Sequence, residues 1–383
     1  MVTNQVTESQ ILEVLRPVED PELHRSIVDL GMVDRIVLAP NGATTNVAVT
    51  IALTIQGCPL RAEITNRVTG AVKALEGVGE FALEFTVMTD EQRAKVSEIM
   101  RGAGHGHAHS HGDQPAERPN PFTSNRTRIL AVSSGKGGVG KSSITANLSI
   151  ALAQMGYSVA AIDADVWGFS MPRMLGIDRP PTVIDDVLVP PEAHGVKLIS
   201  MGFFAREDQP VVWRGPMLHK ALNQFLTDVF WDDPDFLVID MPPGTGDISI
   251  SMAQFLPRAE VIVVTTPQAA AQKVAQRAAY MAQKVNLSVT GVIENMSWFQ
   301  CDHGERYELF GAGGGQALAD SLDVPLLGQV PLVQELREGS DDGMPIVALN
   351  PDAEASRAIQ AIAKTIAVDL APKRIYRPEL KII

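Results

Sequence analysis

The run Gly135-Lys136-Gly137-Gly138-Val139-Gly140-Lys141-Ser142 constrains this chain more than any other segment. It fits G-x-x-x-x-G-K-[ST], the pattern of a phosphate-binding loop. Upstream, Arg128-Ile129-Leu130-Ala131-Val132-Ser133 is an apolar run of strand length; downstream, Ser142 to Met155 has helical composition and ends at Gly156. Strand, glycine loop and helix is the context in which the pattern has a mechanism. Glycines let backbone N–H groups approach a triphosphate closely, and a helix N-terminus adds positive potential. The segment from Gly135 to Ser143 is therefore the expected cradle for ATP, with Lys141 on the β- and γ-phosphates and Ser142 on Mg²⁺.

Lys136, one residue into the motif, is not needed to cradle phosphates in its own loop. A positive charge there suits a role across a dimer interface, near the γ-phosphate of a second copy, as an arginine finger acts.

A chain of 383 residues holds one large domain or two. Its 45% hydrophobic and 20% charged residues are those of a globular protein with a sizeable core. Net charge is −13, and residues 1–100 carry 8 Lys and Arg against 14 Asp and Glu, so both halves are acidic. This argues against a broad nucleic-acid surface. Two cysteines, Cys58 and Cys301, are too few for a disulfide framework. The first residues lack an apolar leader, and no apolar run has the length of a membrane span. The expected setting is a reducing cytoplasm, with neither nucleic acid nor membrane as a partner.

Residues 1–100 read as a small α+β domain. Thr7-Glu8-Ser9-Gln10 has the form of a capping box ahead of a first helix. Val33–Leu38 and Thr45–Leu53 read as strands joined by a turn at Pro40-Asn41-Gly42, a helix runs from Pro59 to Leu75, and Phe81–Met88 is a further strand. Residues 101–125 are rich in Gly, His and Pro without periodicity and read as a linker. Its alternating His105, His107, His109 and His111 have the spacing of an incidental divalent-metal binder, although a solvated spacer is the commoner meaning. From residue 126 to 383, strand and helix signals alternate, with strands at Val159–Ile162, Phe236–Ile239, Val261–Thr265, Val289–Ile293 and Pro325–Val330, and helices at Gln268–Lys284 and Asp352–Leu370. This order predicts an α/β domain built on a mostly parallel, doubly wound sheet.

Ligands in such sheets bind at the carboxyl ends of strands. Asp240 ends the apolar run Phe236–Ile239 and is the expected Walker B carboxylate near Mg²⁺. The segment after it, Met241 to Asp247, holds the glycines of a switch loop. Asp163 and Asp165 end the second strand and project to the same side. Asp165 is the expected orienter of the attacking water, and Asp163 is expected to support Mg²⁺ or the loop lysine. Asn295, placed after the strand at Val289–Ile293, is the candidate reader of the adenine edge.

Residues 126–370 resemble the Mrp/ApbC family of iron–sulfur cluster carrier ATPases. The matching segments are the glycine loop, Asp163 to Ser170, Trp213 to Met217, Asp240 to Asp247, Glu294 to Ser297 and Phe310 to Gly315. The doubled lysine of the loop is similar to the deviant form shared by partitioning ATPases, nitrogenase reductase and cluster carriers. Residues 1–100 resemble the SufT/PaaD type of iron–sulfur assembly domain through Asp20-Pro21-Glu22, Val28 to Val33 and Gly57-Cys58-Pro59. The resemblance implies a homodimer that hydrolyses ATP slowly and passes a cluster, a [4Fe–4S] one by expectation, to apo-proteins and assembly factors. In the family a Cys-x-x-Cys pair from each protomer bridges the dimer. Here the first cysteine is Cys301 and the second position is Gly304, with His303 or Asp302 as alternative ligands. Cys58, beside Pro59 at a helix start, is either a low-pKa thiolate suited to metal or persulfide, or a small packed thiol. The alternative reading is a dimeric partitioning ATPase acting on DNA, membrane or a protein partner without a cluster.

Overall fold

The computed structural model describes residues 6–55, 60–101, 119–166, 168–204, 215–244, 247–301 and 303–370. Cys58, the His105–His111 run, Trp213, Arg214, Thr245, Gly246, Asp302 and the tail from 371 lie outside the described residues, as do the side chains of Arg101 and Asp247.

Thr7 begins helix α1 (Glu8–Leu15): its hydroxyl accepts from Gln10 N at 3.3 Å, and the Gln10 side chain accepts from Thr7 N at 2.9 Å, the capping box that the sequence predicts. Strands β1 (Val33–Asn41) and β2 (Thr44–Leu53) form an antiparallel hairpin through Gly42. Helix α2 (Arg61–Lys73) crosses to β3 (Val78–Val87), which pairs in parallel with β2, and α3 (Asp90–Arg101) follows.

After the stretch at 102–118 come β4 (Arg128–Ser134), α4 (Lys141–Gln154), β5 (Val159–Asp163), the short α5 (Met171–Met174) and a hairpin of β6 (Thr182–Ile184) and β7 (Val187–Val189). Then follow β8 (Glu192–Ala193), β9 (Val196–Ser200), α6 (Gly215–Thr227), β10 (Phe236–Asp240), α7 (Asp247–Phe255), β11 (Glu260–Thr265) and α8 (Ala269–Lys284). The last elements are β12 (Ser288–Gln300), β13 (Arg306–Tyr307), α9 (Gly314–Leu322), β14 (Leu326–Leu332), α10 (Gln334–Asp341), α11 (Ile346–Leu349) and α12 (Glu354–Lys364).

The chain divides into two units. The first contains the small N-terminal region together with Pro181–Pro190 and Asp228–Asp232. Ile184, Val187, Val189 and Phe230 from those two segments are buried in one core with Ile11, Leu15, Val49, Ile51, Ile64 and Val68. From sequence alone both segments fall within the expected 126–383 domain. A three-residue apolar strand gains stability only by covering another surface, and nothing local says which.

In the second unit the sheet order is β13-β12-β11-β4-β10-β5-β9-β8, with β14 on β12. Strands β12, β11, β4, β10, β5 and β9 run parallel, and the short β13 and β8 are antiparallel. Every residue of β4, β5 and β10 is buried, as a sheet covered on both faces requires. This is the α/β class expected. The linker reading ends too late, however. Phe122 is 1% exposed, Asn120 Nδ2 donates to Phe255 O at 2.9 Å and Arg258 donates to Phe122 O at 2.7 Å, so residues 120–125 are fastened to the ATPase unit. One aromatic in a polar stretch is too small a signal for the sequence to reveal.

Candidate nucleotide and cargo sites

Strand register builds the nucleotide site. Val132, Asp240, Asp163 and Ser200 pair side by side across β4, β10, β5 and β9, one row at the carboxyl ends. Residues at one level of in-register parallel strands project to the same face. The glycine loop leaves β4 just beyond this row and enters α4 at Gly140, whose φ is +79°.

Asp240 is the convergence point. Its Oδ2 accepts from Ser142 Oγ at 2.6 Å, and its Oδ1 lies 2.6 Å from Lys141 Nζ and 2.8 Å from Thr145 Oγ1. Asp240 is 0% and Lys141 6% exposed, so the charges meet in a shielded place. Thr145 was missed in the sequence. Its position four residues after Lys141, on the same helix face, was the available signal. Hydroxyl and carboxylate oxygens are the donors a hard divalent cation takes, so Ser142 and Asp240 fit Mg²⁺ chemically.

Asp163, the expected support of Mg²⁺ or the loop lysine, also receives a set of hydrogen bonds. Its Oδ2 accepts from Ser170 N at 3.1 Å, Met171 N at 3.2 Å and Ser200 Oγ at 3.0 Å, and its Oδ1 accepts from Asp165 N at 3.2 Å. One carboxylate thus ties both ends of the loop between β5 and α5. Burial, and then the charge of Asp240, push its pKa up to about 7 against these hydrogen bonds. An acid whose folded pKa exceeds the unfolded 3.8 gains a proton on folding, so stability falls as pH rises from 3.8 towards about 7. Asp163→Asn keeps an acceptor for the amides and removes the charge. It is expected to be more stable than the parent by about 1–3 kcal/mol at pH 8 and near parity at pH 4. Its ATP turnover falls. Denaturant midpoints at the two pH values check this.

Asp165 is 7% exposed and is held by Gly168 N, which donates to its Oδ1 at 3.0 Å. Half-buried Lys136 donates to Gln268 Oε1 at 3.3 Å. Asn295 lies inside β12, because that strand continues to Gln300 rather than ending at Ile293. Its Nδ2 donates to Val139 O at 2.9 Å, bracing the glycine loop. A Cβ on Gly140 would sit 2.2 Å from that nitrogen, and one on Gly135 2.3 Å from Ala275 N in α8, so close approach demands glycine at both.

The second feature is the turn between β12 and β13, where Phe299 pairs with Tyr307 and Gln300 with Arg306. Cys301 N donates to Glu305 O at 3.0 Å and Gly304 N to Cys301 O at 2.9 Å. Gly304, at the position where the resemblance places a second thiol, has φ +84°, a conformation that favours glycine and would strain a cysteine. Cys301 is half-buried and His303 exposed. Tyr307 donates to Glu305 Oε2 at 2.7 Å, and this carboxylate, with a small burial effect and then Cys301, raises the phenol pKa. Among the described residues no three His, Cys, Asp or Glu side chains come together as a metal nest. No described helix is long and apolar enough to cross a membrane.

Comparison with known proteins agrees with this geometry. Residues 125–367 match the ParA family described as the NUBPL iron-transfer P-loop NTPase, and residues 8–82 match the iron-sulfur cluster assembly protein family. An iron-sulfur cluster carrier protein of Mycobacterium leprae is 45% identical over 93% of this chain and 91% of its own length. One from Synechocystis is 42% identical over 94% of this chain and 97% of its own length. Among solved structures, a nucleotide-binding protein of Archaeoglobus fulgidus in complex with ADP is 34% identical, covers 56% of this chain and 86% of its own, and superposes with a TM-score of 0.50. The chain belongs to the NUBPL-type iron-transfer family of ParA P-loop NTPases.

Proposed function

We propose that this chain binds and hydrolyses ATP and carries iron–sulfur clusters to apo-proteins. The observation that supports hydrolysis is the buried meeting of Lys141, Ser142 and Asp240 at 2.6 Å beside the glycine loop. Loop amides and Lys141 hold the β- and γ-phosphates. Asp165, fixed by Gly168 N, orients the attacking water. Ser142 and Asp240 would hold Mg²⁺, which when bound neutralises charge on the phosphates. Asn295 keeps a second N–H and its Oδ1 for the adenine edge while its other N–H holds Val139 O.

The cluster is cargo, and Cys301 is its proposed ligand. The exposed turn between β12 and β13 sets this thiol where an acceptor can reach it. All-cysteine clusters take four thiolates, and the whole chain has two cysteines. A homodimer bridging a [4Fe–4S] cluster through both Cys301 thiols, completed by oxygen or imidazole ligands of the same turn, satisfies this count. Family membership and acidic charge favour this over the partitioning reading. The proposed setting is the cytoplasm.

Anaerobic reconstitution with iron and sulfide tests the assignment. The parent is expected to gain cluster absorbance and to activate an apo-acceptor, and Cys301→Ala to lose at least about tenfold in both, since even the loss of a ligand's outer-shell partner costs that much. Loss confined to Cys58→Ala moves the cluster to the small domain. A parent without stoichiometric cluster overturns carriage.

A further inference from the structure

Ser200 has no place in the phosphate-binding motif or the carboxylate pair, yet it completes their row. It is 0% exposed, ends β9 and pairs in register with Asp163. Its hydroxyl donates to Asp163 Oδ2 at 3.0 Å and accepts from Gly202 N at 3.0 Å. A hydroxyl has one hydrogen. Because the Gly202 amide occupies an acceptor position, that hydrogen is directed at Asp163. The same carboxylate collects the amides of Asp165, Ser170 and Met171, the two ends of the loop that presents Asp165.

A second contact joins the same two segments. A Cβ on Gly202 would lie 2.5 Å from Cδ2 of Phe169, so the ring of this loop residue rests on bare backbone just after β9. Ser200 and Gly202 therefore hold the Asp163–Met171 loop from the inside, through a carboxylate, and from the outside, through an aromatic ring.

We infer that Ser200 is a positioning residue for ATP hydrolysis: through Asp163 it fixes the loop that carries Asp165 at the attacking water. The inference rests on the ATPase reading above and adds a residue and a route to it. Ser200 touches neither the glycine loop nor Asp240 in any described hydrogen bond, so it bears on the chemical step and not on nucleotide affinity.

Steady-state ATPase assays on the full chain test this. Ser200→Ala is expected to lower kcat about tenfold and to change KM for ATP less than twofold, the pattern of an interaction used in the transition state alone. Ser200→Thr, which keeps the hydroxyl, is expected to recover most of the rate. In the Asp163→Asn background, Ser200→Ala is expected to add less than a twofold further loss, because the two residues act as one unit. The inference is overturned by parent-like kcat in Ser200→Ala, by a rise in KM alone, or by a full tenfold loss on top of Asp163→Asn. A parent that does not hydrolyse ATP removes the ATPase reading itself. A parent that does, with Ser200→Ala at the parent rate, removes only this one.

Discussion

Lys141→Ala is expected to lose ATP turnover by about 10²–10³-fold and to destabilise the ATPase unit at the same time. The first effect follows from losing the cation on the β- and γ-phosphates. The second follows from burial: Lys141 and Asp240 are 6% and 0% exposed and 2.6 Å apart. Removing one partner of a buried pair leaves an uncompensated charge and costs about 3–5 kcal/mol. Here the cost is raised further because Asp163, also fully buried, stands beside Asp240 in the sheet. The double variant Lys141→Ala/Asp240→Asn is expected to recover most of the stability and none of the turnover. Thermal midpoints and ATPase rates on the two variants check both parts. Equal stability of the parent and Lys141→Ala would show that the ion pair is not held as described.

Lys136→Ala is expected to separate the same two quantities in the other direction. Lys136 is half-buried and donates to the neutral Gln268 amide at 3.3 Å, so its removal leaves no orphan charge and stability stays within about 0.5 kcal/mol. Turnover is expected to fall about 10³-fold or more, the low end of the range for a missing arginine finger, with ATP affinity retained. Mixing settles whether the lysine works across a dimer. Lys136→Ala and Lys141→Ala protomers are each inactive, but a mixed dimer forms one site with an intact Lys141 and a donated Lys136. At equal amounts about a quarter of the parent rate is expected to return. A mixture that stays inactive places Lys136 in its own site.

The nucleotide loop was legible in the sequence because it is local. Its chemistry depends on residue types at fixed spacing over eight positions, flanked by a strand and a helix that each announce themselves. Asp240 and the Asp163/Asp165 pair were legible for the same reason, since each ends an apolar run. The Thr7–Gln10 cap and the mostly parallel character of the sheet were legible too. Less visible were features that depend on long-range pairing. The strand at Val289–Ile293 continues to Gln300 and so takes Asn295 into the sheet, where it binds Val139 O across 156 positions of sequence. Thr145 is on view only as one more hydroxyl in a helix, until Asp240 is placed 2.8 Å from it.

The fold class, the glycine loop between β4 and α4 and the acidic residues at the ends of β5 and β10 could be read from local sequence, because backbone geometry ties those to neighbours a few residues away. Long-range packing was needed to show that Asp163 braces a loop, that Ser200 joins the row of Asp163 and Asp240, and that Phe230 and the Thr182–Val189 hairpin belong to the core of the first unit. Those outcomes turn on sheet register and on which apolar surface a short segment covers. Both are set by the total burial of the folded chain, in which many weak contacts decide together, so no single window of sequence contains them.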